Sequence, residues 1–456
     1  MTDRGREPSI HRRRLVKGSA MTVLGTTPAL VSSTRTARGA SLSGPTGIHI
    51  AYGPSPTSSM TVGWTGPVAT DAYVRYGRSG GLDTTVRATT DVVPGADRAA
   101  YRAALFGLAP GTEYAYEVVV DGETSSRYSF TTAPEAGESF RITAVGDHGI
   151  DDPRNEFQRA ETDDPIAVAD SADEMDPAFH LGVGDISYAN GYPGTWDHYF
   201  ETFEEFYATT PFMTVPGNHE KEPGTGFKSY DGHLNALMPI PDASSPELES
   251  KRRWYDFEYG NALFVGLNTS ADACGDYLRG EELVPLQDTR CRTEESRTYD
   301  EYQGSYVEET LRAAENDPEI DWKIVYLHSS LWTDGEHDAR EDLRERWGAH
   351  FDEYDVDLVL SGHNHVYERS KPLRLDGVGE TGTTYLVNGT GGTSRYEFQH
   401  REAPDWTAFR DGDHFGVTRL DIDGRRLAVR YVAADGTVVD EFEIVKRDGE
   451  PTQREW

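Results

Sequence analysis

The sequence is poor in cysteine, in basic residues and in long apolar segments. Each shortage argues against a particular kind of metal site, membrane segment or binding partner. Two cysteines among 456 residues are too few for a metal site built from cysteine alone. No run of about 18 consecutive apolar residues occurs, so we expect no stable membrane span. The formal net charge of -34, from 78 acidic and 44 basic residues, disfavours nucleic acid and anionic membranes as partners.

The acidic excess and the first 40 residues bear on where the protein works. Such an excess keeps proteins soluble in high salt, which indicates a halophilic source. Residues 1–40 instead carry eight basic and two acidic residues, about +6, which leaves about -40 for the remainder. The basic run 11–17 and the short apolar stretch 18–31 resemble a twin-arginine export signal, with Arg12 and Arg13 as the pair.

Export has a consequence for the two cysteines. We expect residues 1–40 to be an export signal and linker, and the protein to act outside the cytoplasm or at the cell surface; the alternative is a disordered basic arm. In that oxidising compartment Cys274 and Cys291 would form a disulfide, or else remain two unpaired thiols.

Residues 46–133 contain short alternating, β-branched or aromatic segments separated by Gly, Pro and Asp turns. This pattern predicts an antiparallel β-sandwich, which we place at residues 44–134. The stretches 105–114 and 128–132 resemble a fibronectin type III domain.

From Phe140 onward apolar runs alternate with helical patterns, which predicts an α/β domain at residues 138–446. Its part from 380 to 446 is expected to be rich in strands. We expect helices at 196–208, 303–316 and 338–353. The aromatic residues at helical spacing in the first of these are interpreted as core: Trp196, Tyr199, Phe200 and Phe206.

Five apolar runs of this domain end in Asp, Asn or His, where the carboxyl ends of buried strands would lie. One such ending is ordinary turn chemistry, but five endings of metal-ligand types indicate a metal site. These side chains offer oxygen and imidazole ligands and no thiolate, which suits iron, zinc or manganese. The candidate ligands are Asp147, Asp185, Tyr188, Asn218, His328, His363 and His365.

Five motifs match, in order, those of purple acid phosphatases, a family of calcineurin-like metallophosphoesterases. They are Gly146-Asp147-His148-Gly149, Gly184-Asp185-Ile186-Ser187-Tyr188, Gly217-Asn218-His219-Glu220, Val325-Tyr326-Leu327-His328 and Gly362-His363-Asn364-His365. The resemblance covers about residues 46–440 and implies a catalytic β-sandwich flanked by helices behind the first domain. It also implies a division of the ligands. Asp147, Tyr188 and His365 would bind Fe(III), Asp185 would bridge, and Asn218, His328 and His363 would bind divalent Zn, Mn or Fe.

One position separates this family from its relatives. Other metallophosphoesterases have a histidine two residues after the first Asp, where this chain has Gly149, and Tyr188 would compensate. A tyrosinate stabilises ferric iron and would give a visible charge-transfer band. His148 is one residue too early for a ligand and is interpreted as a histidine beside the site or on the surface.

The implied activity is hydrolysis of phosphomonoesters by a metal-bound hydroxide, as in acid phosphatases. His219 is the candidate phosphate contact, and His337 matches a substrate-side histidine of the family. Plant members have a pair there, so one donor is missing. Glu336 and Asp338 should hold His337 protonated, unless it is a solvated loop histidine. Glu220 is interpreted as structural, and the glycine-rich stretch 388–392 as a loop over the site.

Two alternatives share the same sequence features. A phosphodiesterase or nucleotide pyrophosphatase would use the same metals on a small phosphate ester. A non-catalytic cell-surface binding protein would rely on the first β-sandwich and leave the second domain inert, which a complete ligand set argues against. No residue pattern indicates an oligomeric state.

Overall fold

A computed structural model of the protein describes residues 44–93, 95–135, 137–155, 164–239, 253–270, 278–279, 282–283, 294–447 and 450–455. The predicted export signal, Cys274 and Cys291 lie outside these residues, so their predictions stay untested. Within the described ranges, no helix is both long enough and apolar enough to cross a membrane.

The N-terminal part is all β, as its alternating pattern predicts, and forms two antiparallel sheets. Its strands are β1 Thr46–Tyr52, β2 Ser59–Gly66, β3 Ala72–Arg78, β4 Thr84–Arg87, β5 Thr89–Asp91, β6 Ala99–Phe106, β7 Glu113–Val120, β8 Glu123–Thr124 and β9 Tyr128–Thr131. One sheet has the order β1-β2-β6-β5 and the other β4-β3-β7-β8, with β9 also paired to β7. Apolar side chains such as Ile50, Trp64 and Tyr116 fill its interior.

The second part alternates strands and helices before it ends in strands. Its strands are β10 Phe140–Val145, β11 His180–Gly182, β12 Phe212–Thr214, β13 Tyr255–Tyr259, β14 Ala262–Gly266, β15 Leu278–Arg279, β16 Glu282–Leu283, β17 Trp322–Tyr326, β18 Leu358–Ser361, β19 Tyr367–Ser370, β20 Leu373–Arg374, β21 Gly377–Val378, β22 Thr384–Asn388, β23 Thr407–Asp411, β24 Gly416–Asp423, β25 Arg426–Ala433, β26 Val438–Arg447 and β27 Glu450–Glu455. Its helices are α1 Asp164–Glu174, α2 Gly194–Thr202, α3 Glu204–Tyr207, α4 Lys228–His233, α5 Glu294–Glu315 and α6 Glu341–Glu353, with a 3-10 turn at Asn235–Leu237.

Two seven-stranded sheets form the centre of this domain. Their orders are β12-β11-β10-β24-β25-β26-β27 and β13-β14-β17-β18-β22-β19-β23. Strands β10, β11 and β12 run parallel in the first sheet, and β14, β17, β18 and β22 run parallel in the second. Loops that carry functional residues therefore leave the carboxyl ends of adjacent strands in both sheets.

Three apolar clusters arrange these sheets and helices in layers. One cluster joins the inner faces of the two sheets, with residues such as Leu181 and Leu360, and continues into the N-terminal sandwich. A second packs β17 and β18 against α5 and α6, through Leu311 and Phe351 among others. A third, which includes Tyr199, packs α1–α3 against the outer face of the first sheet. The predicted fold, a catalytic β-sandwich flanked by helices behind a β domain, is confirmed.

The structure differs from the predicted elements in several places. The helix predicted at 196–208 is two helices, α2 and α3, which meet at Phe203 with φ -101° and ψ 14°. Phe203 packs its ring 4.7 Å from that of His148, so burial of this side chain coincides with the break. The hairpin β13–β14 and helix α1 were not predicted at all.

A carboxylate on α3 joins the two domains. Glu204 accepts hydrogen bonds from the backbone N–H groups of Gly47 and Ile48, at 2.7 and 3.3 Å, and from the Tyr128 hydroxyl. Strand β1 and strand β9 are thereby both attached to the catalytic domain through one side chain.

Candidate metal centre

The seven predicted ligands lie on loops that follow β10, β11, β12, β17 and β18 and meet at one edge of the two sheets. Four of them have left-handed backbones, a conformation that costs about 1–3 kcal/mol for residues other than glycine. Their φ angles are 58° at Asp147, 52° at Asp185, 54° at Tyr188 and 68° at His363. Such strain at ligand positions is typical of a functional site.

The first two loops are held in register by main-chain hydrogen bonds. The N–H groups of Asp147, His148 and Gly149 donate to the carbonyl oxygens of Gly184, Asp185 and Ile186 at 3.0, 3.2 and 2.8 Å. The loops that carry the predicted first and bridging aspartates are therefore joined to each other by three main-chain hydrogen bonds.

Asp147, Tyr188 and His365 form one group of donor atoms. The Tyr188 hydroxyl lies 3.0 Å from Asp147 Oδ1 and 3.1 Å from His365 Nε2, and that nitrogen lies 3.2 Å from Asp147 Oδ1. The other nitrogen of His365, Nδ1, is 2.8 Å from Ser394 Oγ, which leaves Nε2 directed at the group. These are the three residues that the resemblance assigns to ferric iron.

Asp185, Asn218, His328 and His363 form the second group. Ligand atoms of Asp185, His328 and His363 all lie within 4.8 Å of one another. His328 Nε2 is 3.2 Å from Asp185 Oδ2 and 3.0 Å from Asn218 Oδ1, while its Nδ1 donates to the Val183 carbonyl at 2.9 Å. The buried Nε2 of this histidine therefore faces two oxygen acceptors.

The electrostatics of these groups fit bound cations. Burial lowers the pKa of His328, but the carboxylates of Asp185 and Asp147 outweigh burial and raise it to about 10. In the absence of a cation, His328 therefore holds a proton on Nε2, which faces the oxygens of Asp185 and Asn218. A metal ion at this place would bind the same nitrogen and oxygen atoms. Burial, Asp147 and Asp185 raise the pKa of Tyr188 well above its ordinary value, so only a cation beside it would hold a phenolate.

Glu220 holds the bridging aspartate from behind, consistent with its predicted structural role. Its buried carboxylate accepts the N–H groups of Asp185, Ile186 and Gly217 at 2.8, 2.8 and 2.7 Å. A Cβ at Gly217 would lie 2.0 Å from Asp185 Oδ1, so a larger residue would displace that carboxylate. Burial and Asp185 raise the pKa of Glu220 to about 8.

His219 lies at the rim of the site with one third of its side chain exposed. Its Nδ1 donates to Asn190 Oδ1 at 2.5 Å, and its Nε2 lies 3.9 Å from Asp185 Oδ2. Burial of the ring lowers the pKa of His219, and Asp185 only partly opposes this. A neutral His219 with Nδ1 protonated presents a free Nε2 lone pair, and a protonated one presents a donor.

His337 lies beside the ligands but is less protonated than the sequence suggests. Its ring stacks on that of His363 with centroids 4.3 Å apart, so it is not a solvated loop histidine. Burial, followed by the imidazole of His365, lowers its pKa, and Glu336 raises it only in part. The expectation that neighbouring carboxylates hold His337 protonated is therefore wrong, because burial, the largest effect on its pKa, and the imidazole of His365 outweigh Glu336.

Sequence reasoning missed a tyrosine of the site and left one histidine open between a place beside the site and the surface. Tyr396 stacks on His365, with centroids 3.9 Å apart and planes 7° apart, and meets His337 edge-on at 5.3 Å. No motif marks it. His148 lies outside the ligand groups as expected but is buried, between the Tyr199 hydroxyl and the Pro165 carbonyl.

The glycine-rich stretch 388–392 packs on the back of the first ligand group. A Cβ at Gly389 would lie 2.7 Å from Asp147 Oδ2, and one at Gly391 would lie 2.5 Å from the Gly146 carbonyl. Thr393, which follows, donates its hydroxyl to the Asp147 carbonyl at 3.1 Å. The stretch therefore supports the first ligand loop by close backbone approach.

Three family models match the chain in consecutive segments. Residues 45–132 match the purple acid phosphatase N-terminal domain, residues 140–367 match the calcineurin-like phosphoesterases, and residues 382–441 match the iron/zinc purple acid phosphatase-like protein C domain.

Individual relatives extend over most of the chain. An uncharacterised protein of Mycobacterium tuberculosis is 28% identical, over 96% of this chain and 97% of its own. A nucleotide pyrophosphatase/phosphodiesterase of Hordeum vulgare is 29% identical over 70% of this chain and 86% of its own. A probable inactive purple acid phosphatase of Arabidopsis thaliana is 26% identical over 74% of this chain and 56% of its own.

Among solved structures, a purple acid phosphatase from yellow lupin seeds has the same fold. It superposes with a TM-score of 0.71 and 24% identity, over 89% of this chain and 75% of that one. The three consecutive family matches, which include half of the chain in the phosphoesterase segment alone, decide the assignment. The chain belongs to the purple acid phosphatase family of calcineurin-like phosphoesterases, a family whose dinuclear metal centre contains iron.

Proposed function

We propose that the protein hydrolyses phosphomonoesters at a centre of Fe(III) and a divalent Zn, Mn or Fe ion. Membership of the phosphoesterase family establishes the broad activity, the hydrolysis of phosphoesters. The observation that carries the finer proposal is the convergence of all seven ligand side chains in two groups. No ligand type that the family needs is replaced, so an inert second domain is disfavoured.

The residues of each group suit the ion assigned to it. Asp147, Tyr188 and His365 would hold the ferric ion, because a phenolate and a carboxylate are hard anionic ligands. Asn218, His328 and His363 would hold the divalent ion, and Asp185 would bridge. When bound, the two cations would clamp the phosphate oxygens and lower the pKa of a water, so that hydroxide is available to attack phosphorus.

The histidines around the ligands would handle the phosphate and the leaving group. His219 has its Nδ1 fixed by Asn190, so its Nε2 is directed toward the space beside Asp185. His337, stacked on His363, would in its protonated form donate the proton that the departing alkoxide requires. Because burial lowers its pKa, this form and the proposed role are favoured at acid pH. Both side chains would thus act at the open side of the two ligand groups.

A phosphodiesterase or nucleotide pyrophosphatase is the second candidate, because the relative from Hordeum vulgare carries that name. Paired assays on p-nitrophenyl phosphate and bis(p-nitrophenyl) phosphate discriminate the two. We expect the monoester to be hydrolysed with the higher kcat/KM, and a preference for the diester would favour the second candidate.

Removal of the bridging carboxylate tests hydrolysis itself. We expect Asp185→Ala to lower kcat for p-nitrophenyl phosphate at least about a thousandfold, since both ions lose a ligand. Asp435→Ala, which removes an exposed carboxylate remote from the ligands, is the matched control and should keep full activity. Equal rates in wild type and Asp185→Ala would refute an enzymatic role for this site.

We also propose that the protein acts after export by the twin-arginine route, from Arg12 and Arg13. Replacement of both arginines by lysine should leave the protein in the cytoplasm of its host. Undiminished export of that variant would show that residues 1–40 serve another purpose.

A further inference from the structure

Asn364 lies between two predicted metal ligands, His363 and His365, and is fully buried. Its side-chain amide is paired with the main chain of His337. The N–H of His337 donates to Asn364 Oδ1 at 2.7 Å, and Asn364 Nδ2 donates to the His337 carbonyl at 3.0 Å. One amide therefore satisfies both main-chain polar groups of the residue that we assign as proton donor.

The position of this amide is fixed by the metal-binding turn. The Asn364 N–H donates to the Gly362 carbonyl at 2.8 Å, and the Asn364 carbonyl accepts the Val366 N–H at 2.7 Å. His363, inside this turn, has a φ of 68°. These hydrogen bonds fix the main chain of Asn364. Because its side-chain amide is bonded to the main chain of His337, the position of His337 depends on the position of the turn.

The loop that bears His337 wraps closely around the amide. A Cβ at Gly335 would lie 2.4 Å from Asn364 Cγ and 2.5 Å from its Oδ1. Real Cβ atoms do not approach other atoms so closely, so only glycine fits there while the amide keeps its place. Gly335 thus gives a second way to disturb the pairing without changing Asn364.

The chemistry of the pairing requires an amide. Valine has a similar shape but would leave the N–H and carbonyl of His337 without these partners. Aspartate would accept the N–H but place its second oxygen against the His337 carbonyl. Because the His337 ring stacks on His363 at 4.3 Å, any shift of its main chain moves the ring relative to the ligands.

We propose that Asn364 is a positioning residue that sets the place of His337 relative to the two metals. One turn would then hold a ligand of each metal, His363 and His365, and fix the proton donor through the residue between them. The inference rests on the proposed function, in which His337 protonates the leaving group.

A double-mutant cycle on the metal-loaded enzyme tests this inference. The variants are Asn364→Val, Gly335→Ala and His337→Ala, each alone and the first two combined with the third. We expect each of the first two alone to lower kcat about tenfold to a hundredfold, because small misplacements of a catalytic group have such effects. The loss should be larger for phenyl phosphate than for p-nitrophenyl phosphate, whose leaving group needs less protonation.

In the His337→Ala background, neither Asn364→Val nor Gly335→Ala should lower kcat further. Metal content and visible absorption should match wild type in every variant, because the ligands are unchanged. His198→Ala, which removes a half-buried imidazole whose Nε2 lies 3.2 Å from the Asp151 carbonyl, is the matched control and should be fully active.

Each contrary result points to a different failure. The same fold loss with and without His337, or a loss of bound metal in Asn364→Val, would overturn the inference and assign Asn364 to the metal turn alone. A fully active His337→Ala would overturn it together with the proton-donor role, whereas the Asp185→Ala assay tests hydrolysis at the metals separately. Should Asn364→Val fail to fold, Gly335→Ala provides the same comparisons.

Discussion

Four of the predicted ligands have a left-handed backbone conformation, which residues with a side chain disfavour. Asp147, Asp185, Tyr188 and His363 all have positive φ, which together costs several kcal/mol. Around Asp185 this cost is opposed by Glu220, which accepts three main-chain N–H groups from two loops. Glu220 is therefore expected to contribute to stability as well as to ligand geometry.

We predict that Glu220→Gln destabilises the protein by about 2–4 kcal/mol. At pH 7, below its pKa of about 8, Glu220 is mainly protonated, and its carboxyl group still has two oxygens that can accept a hydrogen bond. The amide of glutamine has one such oxygen, so at least one buried N–H loses its acceptor and meets a donor. Urea unfolding of the metal-free protein measures the change, with exposed Glu319→Gln as the matched control. An unfolding free energy equal to that of wild type would show that Glu220 does not stabilise these loops.

The ligand types and their order could be predicted from the sequence because each ligand ends a recognisable apolar run. The surroundings of His337 could not be predicted from the sequence. Its pKa depends on imidazoles brought together by folding, and Tyr396 reaches the site from a loop without periodicity. Glu336 and Asp338 adjoin His337 in the sequence and suggest a raised pKa, but burial and His365 outweigh Glu336 in the folded protein and lower it.

Elements were predicted where local pattern and tertiary burial agree. The runs that became β10, β11, β12, β17 and β18 are short and mainly apolar, as expected for strands buried on both faces. The hairpin β13–β14 was missed, although Tyr255–Tyr259 alternates buried and less buried residues. The predicted helix 196–208 is interrupted at Phe203, whose ring packs 4.7 Å from that of His148, a tertiary contact that the local pattern does not show.

In the second sheet, Glu368 on β19, the strand next to the edge strand β23, links the loop of His337 to the sheet. It accepts the Asp334 N–H at 2.7 Å and the Thr407 hydroxyl at 3.2 Å. The buried carboxylate of Asp334 accepts hydrogen bonds from the Arg410 guanidinium at 2.6 Å and from His400 Nδ1 at 2.5 Å. Burial raises the pKa of Glu368 from 4.5 to about 7.

This raised pKa predicts a pH dependence of stability. Between pH 4.5 and 7 the folded state binds a proton at Glu368 more readily than the unfolded state does, so stability falls as pH rises through that window. Relative to Glu368→Gln, wild type should lose about 2–3 kcal/mol between about pH 5 and 7.5. Urea unfolding at both values measures this difference, and parallel curves for the two proteins would contradict it.

The whole molecule carries a net charge of -34, so its acidic side chains repel one another at low ionic strength. Salt shortens the Debye length from about 10 Å at 0.1 M to about 3 Å at 1 M. We therefore predict that Tm rises by at least about 5 °C from 0.1 to 1 M NaCl and then levels off. Equal osmolarities of glycerol serve as the control, and a Tm that is flat or falls with NaCl would contradict a halophilic adaptation.

The central claim is a ferric–divalent pair of metals held by the two ligand groups, with Tyr188 bound as tyrosinate. Burial and two carboxylates raise the pKa of Tyr188 well above its ordinary value, so a phenolate at neutral pH requires a cation beside it. A tyrosinate-to-iron absorption band therefore reports on the site itself. Tyr192→Phe, in the same loop but exposed, is the matched control for Tyr188→Phe.

The most direct test is the metal content of the purified protein together with its visible spectrum. We predict two metal ions per chain, at least one of them iron, and a visible band that persists in Tyr192→Phe and is lost in Tyr188→Phe. A colourless protein with two zinc ions would contradict the ferric assignment, and a protein that binds no metal would contradict the site as a whole.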